Sequence, residues 1–366
     1  MAISQEITRL QNAKASLKTS INAKTDQQHQ ITDETIDDYS NFVDSITTGG
    51  GSVYTGHYDS SGLSQIGWSN SEVQFYQNNG VYWNEELDNY YKLKTNELSG
   101  DDSSQTRFIP KNTTKTNFSD YYKLIAVPQI DITNISSFKS MFLNCYCLSA
   151  VDLSNYNTTN ITTAQDMFSS CWNLKHINLD NIITTNIQSM SGMFSACRSI
   201  KELDLSNFNT SNVTDMSYMF ANMYFLEELD LSNFNTSRST NMASMFSGCN
   251  KLKKLDLHNF SINSSITAMN NMFASCSNML EIDLSNMQTY SNCNYKSMFS
   301  GCNSLRKLDI RKATFSSISS SKTTNLMYNV PNDCLIIVKN QTEKNFYTSS
   351  WPNLTNVKTV AEYEAM

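Results

Sequence analysis

A column of seven positions along the chain, six of them aspartate, holds the residue types best suited to acid–base chemistry. They recur every 26 or 27 residues as Asp152, Asn178, Asp204, Asp230, Asp256, Asp283 and Asp309. Two carboxyl groups held roughly 5–9 Å apart could hydrolyse a glycosidic bond. These residues belong to a repeat, however, whereas a catalytic pair should interrupt one. We therefore expect this acidic column to accept hydrogen bonds from turn N–H groups in the next loop.

A second polar column follows the first at a distance of three residues. It holds Asn155, Asn181, Asn207, Asn233, Asn259 and Asn286, and it ends at Lys312. We expect these side chains to accept turn hydrogen bonds in the same way. Neither column therefore predicts a catalytic residue.

The other reactive residue types give no catalytic or metal-binding pattern. The four histidines are scattered, and no Ser/His/Asp set or phosphate-loop motif is present. A third column holds Cys145, Cys171, Cys197, Met223, Cys249, Cys276 and Cys302. Its spacing is unlike a zinc site, and strand spacing alone would allow neighbouring cysteines to pair. Because Met223 replaces one cysteine, we expect buried free thiols, and we expect no metal and no cofactor.

One repeat positions all these residues, and its marker is the dipeptide Met-Phe. It occurs at Met141-Phe142, Met167-Phe168, Met193-Phe194, Met219-Phe220, Met245-Phe246, Met272-Phe273 and Met298-Phe299, with a weaker Met327-Tyr328. A fixed period of this length predicts a solenoid, in which each coil (one repeat) buries its apolar face against its neighbours.

A single repeat predicts a strand, a turn and a short helix. The Leu-x-x-Leu-Asp-Leu piece from Leu226 to Leu231 alternates as a strand does, and the Ser-Asn-x-Asn-Thr piece is typical of a turn. Met216, Met219, Phe220 and Met223 follow helical spacing, which predicts one or two helical turns.

The repeat resembles the BspA-like leucine-rich repeat of bacterial surface proteins, over about residues 124–333. The resemblance implies a leucine-rich-repeat-like α/β solenoid and a role in adhesion, without naming a ligand. Residues 334–366 differ and predict a β-α-β cap, because the open end of a solenoid exposes core and unpaired strand edges.

Three segments precede the solenoid. Residues 1–46 predict two helices, the first with a heptad seam at Ile3, Ile7, Leu10, Leu17 and Ile21. This seam suits docking or oligomerisation, or an ordinary two-helix hairpin. Residues 47–52 are a glycine-rich hinge. Residues 53–123 are rich in aromatic residues and predict a small α+β domain that caps the first coil, with carbohydrate stacking as the alternative.

The first 46 residues also resemble the opening of tail and other virion proteins from phages that infect gut bacteria. The matching stretches are 7–24 and 36–46. The N-terminus has no apolar segment of the kind found in secretory signals. Both observations favour a phage virion protein assembled in the host cytoplasm.

Composition excludes two partner classes. The formal net charge is −7 and no basic run is present, so we expect no nucleic-acid binding. No apolar run approaches the roughly 20 residues that cross a bilayer, so we expect no membrane insertion.

One exterior position varies between coils in a way that suits recognition. The residue after the cysteine column is Tyr146, Trp172, Arg198 and Tyr224 in four coils, and Phe225 adjoins the last. Flat rings among polar neighbours suit a sugar or a protein partner. Alternatively, the rings cover the corner of the coil or pack on residues 53–123.

Three functions remain open. The first is a non-enzymatic phage virion protein of tail or fibre type that displays an adhesin for a host-surface glycan or protein. Its N-terminal helices would then bind other virion proteins or form a homo-oligomer, with a trimer as the guess. The second is a bacterial surface adhesin, and the third is a polysaccharide depolymerase.

Overall fold

The computed structural model describes residues 69–78, 113–122 and 124–366. The predicted heptad at Ile3, Ile7, Leu10, Leu17 and Ile21 and the hinge at 47–52 lie outside the described residues. So does most of the 53–123 segment. The predicted solenoid is confirmed over the repeats.

One side of the solenoid is a line of short parallel strands. They are β1 (Ala150–Asp152), β2 (His176–Asn178), β3 (Lys254–Asp256), β4 (Glu281–Asp283), β5 (Lys307–Asp309), β6 (Leu335–Val338) and β7 (Val357–Thr359). β1 pairs with β2, and β3 to β7 pair in order. Equivalent positions of the repeat face each other, as Leu255 faces Ile282 and Ile282 faces Leu308. Residues 179–253 contain no strand, so the line is divided into two sheets.

A second line of parallel contacts joins the coils on another side. Single-residue bridges link Ser137, Thr163, Ser189, Asp215, Asn241, Ala268 and Asn294 in sequence. Unlike the strand line, it continues without interruption through residues 179–253. Each coil is therefore held to both neighbours by backbone hydrogen bonds even where the strands are absent.

The helical turns predicted after each turn were wrong, because this part of the coil is a run of tight turns. Two residues per coil adopt left-handed backbone angles, four positions apart, as Gly192 and Ala196 do. A left-handed residue ends a right-handed helix. The freed N–H groups of Phe194 and Ala196 bond instead to Met219 and Ala221 of the next coil, at 3.0 and 2.7 Å.

The core is built from the repeated sulfur and ring side chains. Eight phenylalanine rings form one internal stack: Phe118, Phe142, Phe168, Phe194, Phe220, Phe246, Phe273 and Phe299. Neighbouring ring centroids lie 5.4–6.0 Å apart with interplanar angles of 5–13°. All eight rings are fully buried. The first ring of the stack is Phe118, which belongs to a partial coil before residue 124, where the repeat resemblance begins.

A helix contacts the first coil. Helix α1 (Asn70–Asn78) buries Tyr76, whose hydroxyl donates a hydrogen bond to the Val127 carbonyl. The carboxylate of Glu72 accepts from the Gln129 N–H at 2.7 Å. These bonds satisfy two backbone groups of the first coil, the Val127 carbonyl and the Gln129 N–H.

The predicted β-α-β cap is present at the other end. After two short 3₁₀ turns, Phe315–Ser317 and Ser320–Lys322, strand β6 leads into helix α2 (Gln341–Ser350) and then β7 and helix α3 (Val360–Glu364). The Asn340 side chain caps α2, and Thr359 with Glu362 forms a capping box on α3. β6 continues the strand line and covers β5. Among the described residues, no helix is long and apolar enough to cross a membrane.

Candidate functional site

Four of the five predicted surface residues form one continuous stack along the solenoid. The Tyr146 ring stacks on Trp172 with centroids 4.1 Å apart. The Arg198 guanidinium lies 4.3 Å from the Trp172 centroid and 5.3 Å from the Tyr224 centroid. Phe225 follows Tyr224 in the chain and exposes 49% of its surface.

A fifth ring precedes them. Tyr122 stacks on Tyr146 with centroids 5.3 Å apart and exposes 41% of its surface. We call the set Tyr122, Tyr146, Trp172, Arg198 and Tyr224 the aromatic ladder. Sequence reasoning missed Tyr122, although a signal was present. Every member lies four residues after a phenylalanine of the internal stack, as Tyr122 does after Phe118.

The stacking bears on both interpretations of these rings. Tyr146 does contact a residue of the 53–123 segment, as the packing alternative predicts, because Tyr122 belongs to it. The ladder nevertheless keeps an open side, since Trp172 exposes 38% of its surface. It therefore combines fixed ring positions with an accessible face.

The internal columns set the geometry of the ladder. Each member follows a buried residue, which belongs to the cysteine column in every case except Tyr121 before Tyr122, and a left-handed residue such as Asn144 or Asn222. The Ser199 hydroxyl donates to the Trp172 carbonyl at 2.7 Å, and the Asn173 N–H donates to the Tyr146 carbonyl at 3.1 Å. The backbone under the ladder is therefore fixed from coil to coil.

Electrostatics hold Arg198 between its two neighbours. Its Nε is buried and makes no hydrogen bond in the part of the chain that the structure describes. The two ring faces are the contacts that remain for the guanidinium, and each cation–π contact contributes roughly 0.5–2 kcal/mol. At the N-terminal end, the nearby Asp120 carboxylate raises the pKa of the Tyr122 hydroxyl.

The ladder ends after the fourth full coil. The same position then holds Asn250, Ser277 and Asn303. The Asn278 side chain donates to the Asn250 carbonyl at 2.6 Å, so this corner is polar. The aromatic ladder is thus confined to the first half of the solenoid.

The side chains of the acidic column accept hydrogen bonds within turns. Each side chain accepts a hydrogen bond from the N–H two residues later, as Asp204 does from Ser206 at 2.9 Å and Asp230 from Ser232 at 2.8 Å. These bonds lower the pKa of both carboxyl groups. A lowered pKa suits a fixed acceptor and is the opposite of what a general acid needs.

The direction of the hydrogen bonds predicted for the asparagine column was wrong. Four of its six asparagines, Asn181, Asn233, Asn259 and Asn286, donate through their amide nitrogens to carbonyls of the preceding coil. Asn233 donates to Leu205, Ser206 and Phe208, at 2.9, 3.2 and 2.8 Å. Such a side chain reaches from one coil to the preceding coil. Its amide N–H groups donate to carbonyls that the turn leaves without partners.

The cysteine column consists of buried thiols, as predicted. No disulfide joins any of the nine cysteines. Each column thiol donates to a phenylalanine carbonyl of the preceding coil at 3.0–3.2 Å, as Cys249 does to Phe220. Burial raises the pKa of Cys276 to about 12. Cysteine therefore serves as a small apolar residue with a weak donor.

The histidines are not brought together. His176 lies on β2, and His258 bonds through Nδ1 to Asp256 at 2.7 Å, while His29 and His57 lie outside the described residues. Among the described residues, no group of three or more His, Cys, Asp or Glu side chains could hold a metal ion.

Comparison with solved structures finds leucine-rich-repeat surface proteins. A leucine-rich cell-surface protein of Faecalibacterium prausnitzii is 15% identical, covering 60% of this chain and 80% of its own, with a TM-score of 0.19. The pneumococcal vaccine antigen PcpA is 12% identical, covering 65% and 77%, with a TM-score of 0.22. A leucine-rich-repeat protein of Leptospira interrogans is 11% identical, covering 72% and 79%, with a TM-score of 0.20. At these values the likeness says nothing of a ligand.

Sequence comparison gives a firmer relationship. No curated protein matches the chain. Residues 112–223 and 188–312, which together span more than half of the chain, match one protein family. The chain therefore belongs to the family described as "Mycoplasma protein of unknown function, DUF285".

Proposed function

We propose that this protein is a non-enzymatic adhesin that presents the aromatic ladder to a host-surface glycan or protein. The observation that supports this most strongly is the ladder itself. Its rings and arginine are fixed by stacking, yet Tyr122 and Trp172 remain accessible. Aromatic and arginine side chains dominate binding energy at recognition surfaces, and fixed rings lose little entropy on binding.

The absence of catalysis is part of the proposal. The acidic column would be the natural choice for a depolymerase, but its carboxylates are already occupied as turn acceptors. The same turn recurs from coil to coil, which is what a structural role requires. A scaffold of this kind binds without chemical change.

We propose a phage virion as the carrier of the adhesin. The resemblance of residues 1–46 to the opening of virion proteins supports this assignment, and these helices would then bind other virion proteins or a second and third copy of the chain. A bacterial cell surface is the second candidate. It is favoured by the resemblance of the repeat itself to BspA-like surface repeats.

The adhesin proposal is tested by replacing Trp172 and Tyr224 together with Ala. Fluorescently labelled full-length chain is incubated with a panel of gut bacteria and with intestinal epithelial cells, and bound fluorescence is measured. We expect the double variant to lose binding while its thermal unfolding stays within a few degrees. Binding to bacteria favours the virion assignment, and binding to epithelial cells favours the bacterial surface.

The matched control replaces Asn250 and Asn303, which occupy the same position in later coils, with Ala. This control should bind as the unmodified chain does. Undiminished binding by the Trp172 and Tyr224 variant would remove the ladder from the proposal. Detection of the chain by mass spectrometry in purified phage particles tests the virion assignment separately.

A further inference from the structure

A groove of about 910 Å³ opens next to the aromatic ladder. It is lined by Phe75, Lys175, His176, Ile177, Asn178, Ser199, Lys201, Glu202 and Asp204. Helix α1 contributes Phe75, and two neighbouring coils contribute the rest. Its volume lies within the roughly 300–1,000 Å³ of pockets that hold small ligands. Ser199 joins the groove to the ladder, because its hydroxyl bonds to the Trp172 carbonyl.

The groove lies where the solenoid departs from its own repeat. β2 forms one part of the lining and is the last strand before the interruption of the strand line. The next coil, from Ser199 to Asp204, has no strand. The same coil places Arg198 in the ladder, where every other member is aromatic. Because this coil departs from the repeat, its residues meet a requirement other than the stacking of one coil on the next.

Charged groups in the groove keep their hydrogen-bonding capacity. The side chains of Lys175, Lys201 and Glu202 make no hydrogen bond or ion pair with any residue that the structure describes. At the Glu202 position of the regular half the charge is paired, because Lys254 Nζ lies 3.1 Å from the Glu281 carboxylate. The groove therefore offers both donors and acceptors to a ligand.

The balance of these groups defines the ligand class. Two lysines face two carboxylates, Glu202 and Asp204, so the lining favours neither a polyanion nor a polycation. Ammonium and carboxylate groups together suit hydroxyls, which donate and accept. The Phe75 side chain adds apolar surface to the lining. We propose that this groove binds a short neutral oligosaccharide, at a site separate from the aromatic ladder.

The experiment uses the full-length chain and an immobilised panel of di- to tetrasaccharides. The panel contains neutral members built from glucose, galactose, mannose and N-acetylglucosamine, and acidic members with sialic or uronic acids. The groove variant carries Lys201→Ala and Glu202→Gln. The matched control carries Lys253→Ala and Lys254→Gln, at the same two repeat positions in the regular half.

We expect at least one neutral saccharide to bind, and we expect the groove variant to weaken that binding by about tenfold or more, as lost charged hydrogen bonds do. The control and the Trp172 and Tyr224 variant should retain it. Three results would overturn the proposal: no bound saccharide, equal binding by the groove variant, or binding of acidic members alone. If the Trp172 and Tyr224 variant loses cell binding and still binds the saccharide, the ladder and the groove act as separate sites.

Discussion

The two halves of the solenoid share an interior and differ in their exteriors. From Phe246 to Asp309, strands β3 to β5 pair in register, and the positions after the cysteine column are Asn250, Ser277 and Asn303. From Cys145 to Leu231, the strand line is interrupted and the ladder occupies the same position. The phenylalanine stack and the bridge line run through both halves.

The departures in the first half collect in neighbouring coils. Met223 replaces a cysteine, Arg198 replaces a ring, and Tyr218 adopts a left-handed backbone where other coils have Gly, Ser, Asn or Asp. Tyr218 is also half exposed, at 50%. A large residue in this conformation costs about 1–3 kcal/mol. The difference teaches that packing fixes the interior of every coil, and that the departures collect in the coils that carry the ladder and the groove.

The largest expected effect comes from the shared interior. Phe246→Ala should lower the free energy of unfolding by about 3–5 kcal/mol, because it removes a fully buried ring from the stack. Trp172→Ala removes a larger but partly exposed ring, and it should cost about 1 kcal/mol. Urea unfolding followed by circular dichroism measures both. Equal losses of unfolding free energy in the two variants would show that the ladder belongs to the core. The contrast between interior and exterior would then fail.

A smaller effect is expected where the first half needs glycine. Gly192 has φ +63°, and a Cβ there would lie 2.1 Å from Asp166 Oδ1. Gly192→Ser should therefore destabilise the chain by about 1–3 kcal/mol through strain and collision. Asp166→Ser in the same chain should restore only the part of the loss that the collision causes, because the strain at the positive φ remains. If the second change restores nothing, the contact with Asp166 is unimportant.

The smallest effect concerns pH. The hydrogen bond that the His258 ring donates to the Asp256 carboxylate raises the pKa of His258 above its ordinary value of about 6.5. Its contribution to stability is therefore complete below the unfolded pKa and is lost as pH rises through the folded pKa. NMR titration should give a midpoint above about 6.5 that falls in Asp256→Asn. His258→Ser, which copies the Asp204–Ser206 turn of the first half, should remove this pH dependence; a midpoint unchanged by Asp256→Asn would refute the pairing.

Much of the fold followed from spacing. The 26-residue period predicted the solenoid, the buried Met-Phe pairs and the thiols, and a change in pattern at Cys334 predicted the cap. The helical turns were wrong because spacings of three and four residues also fit successive tight turns. Ser, Asn or Gly at two positions four residues apart in most coils, as at Ser244 and Gly248, were the signal of left-handed residues.

The ladder and the groove differ in how far sequence could predict them. The ladder follows from the repeat register, since each member lies four residues after a stacked phenylalanine. The groove joins Phe75 to Lys175 and Lys201, which are 100 or more residues away in the chain. No local pattern encodes such a contact, because it depends on how a helix outside the repeats docks.

The central claim is that the regularly spaced methionine, phenylalanine and cysteine side chains form the interior of the solenoid. Counting the thiols of the native full-length chain that react with a thiol-specific reagent tests it most directly. Cys147 is exposed and lies outside the column, whereas the other eight cysteines are buried. Burial also raises the pKa of column thiols such as Cys276, which keeps them protonated. We predict fast reaction of Cys147 alone, with the others reacting only after unfolding; fast reaction at Cys171 or Cys249 in the native chain would contradict the account.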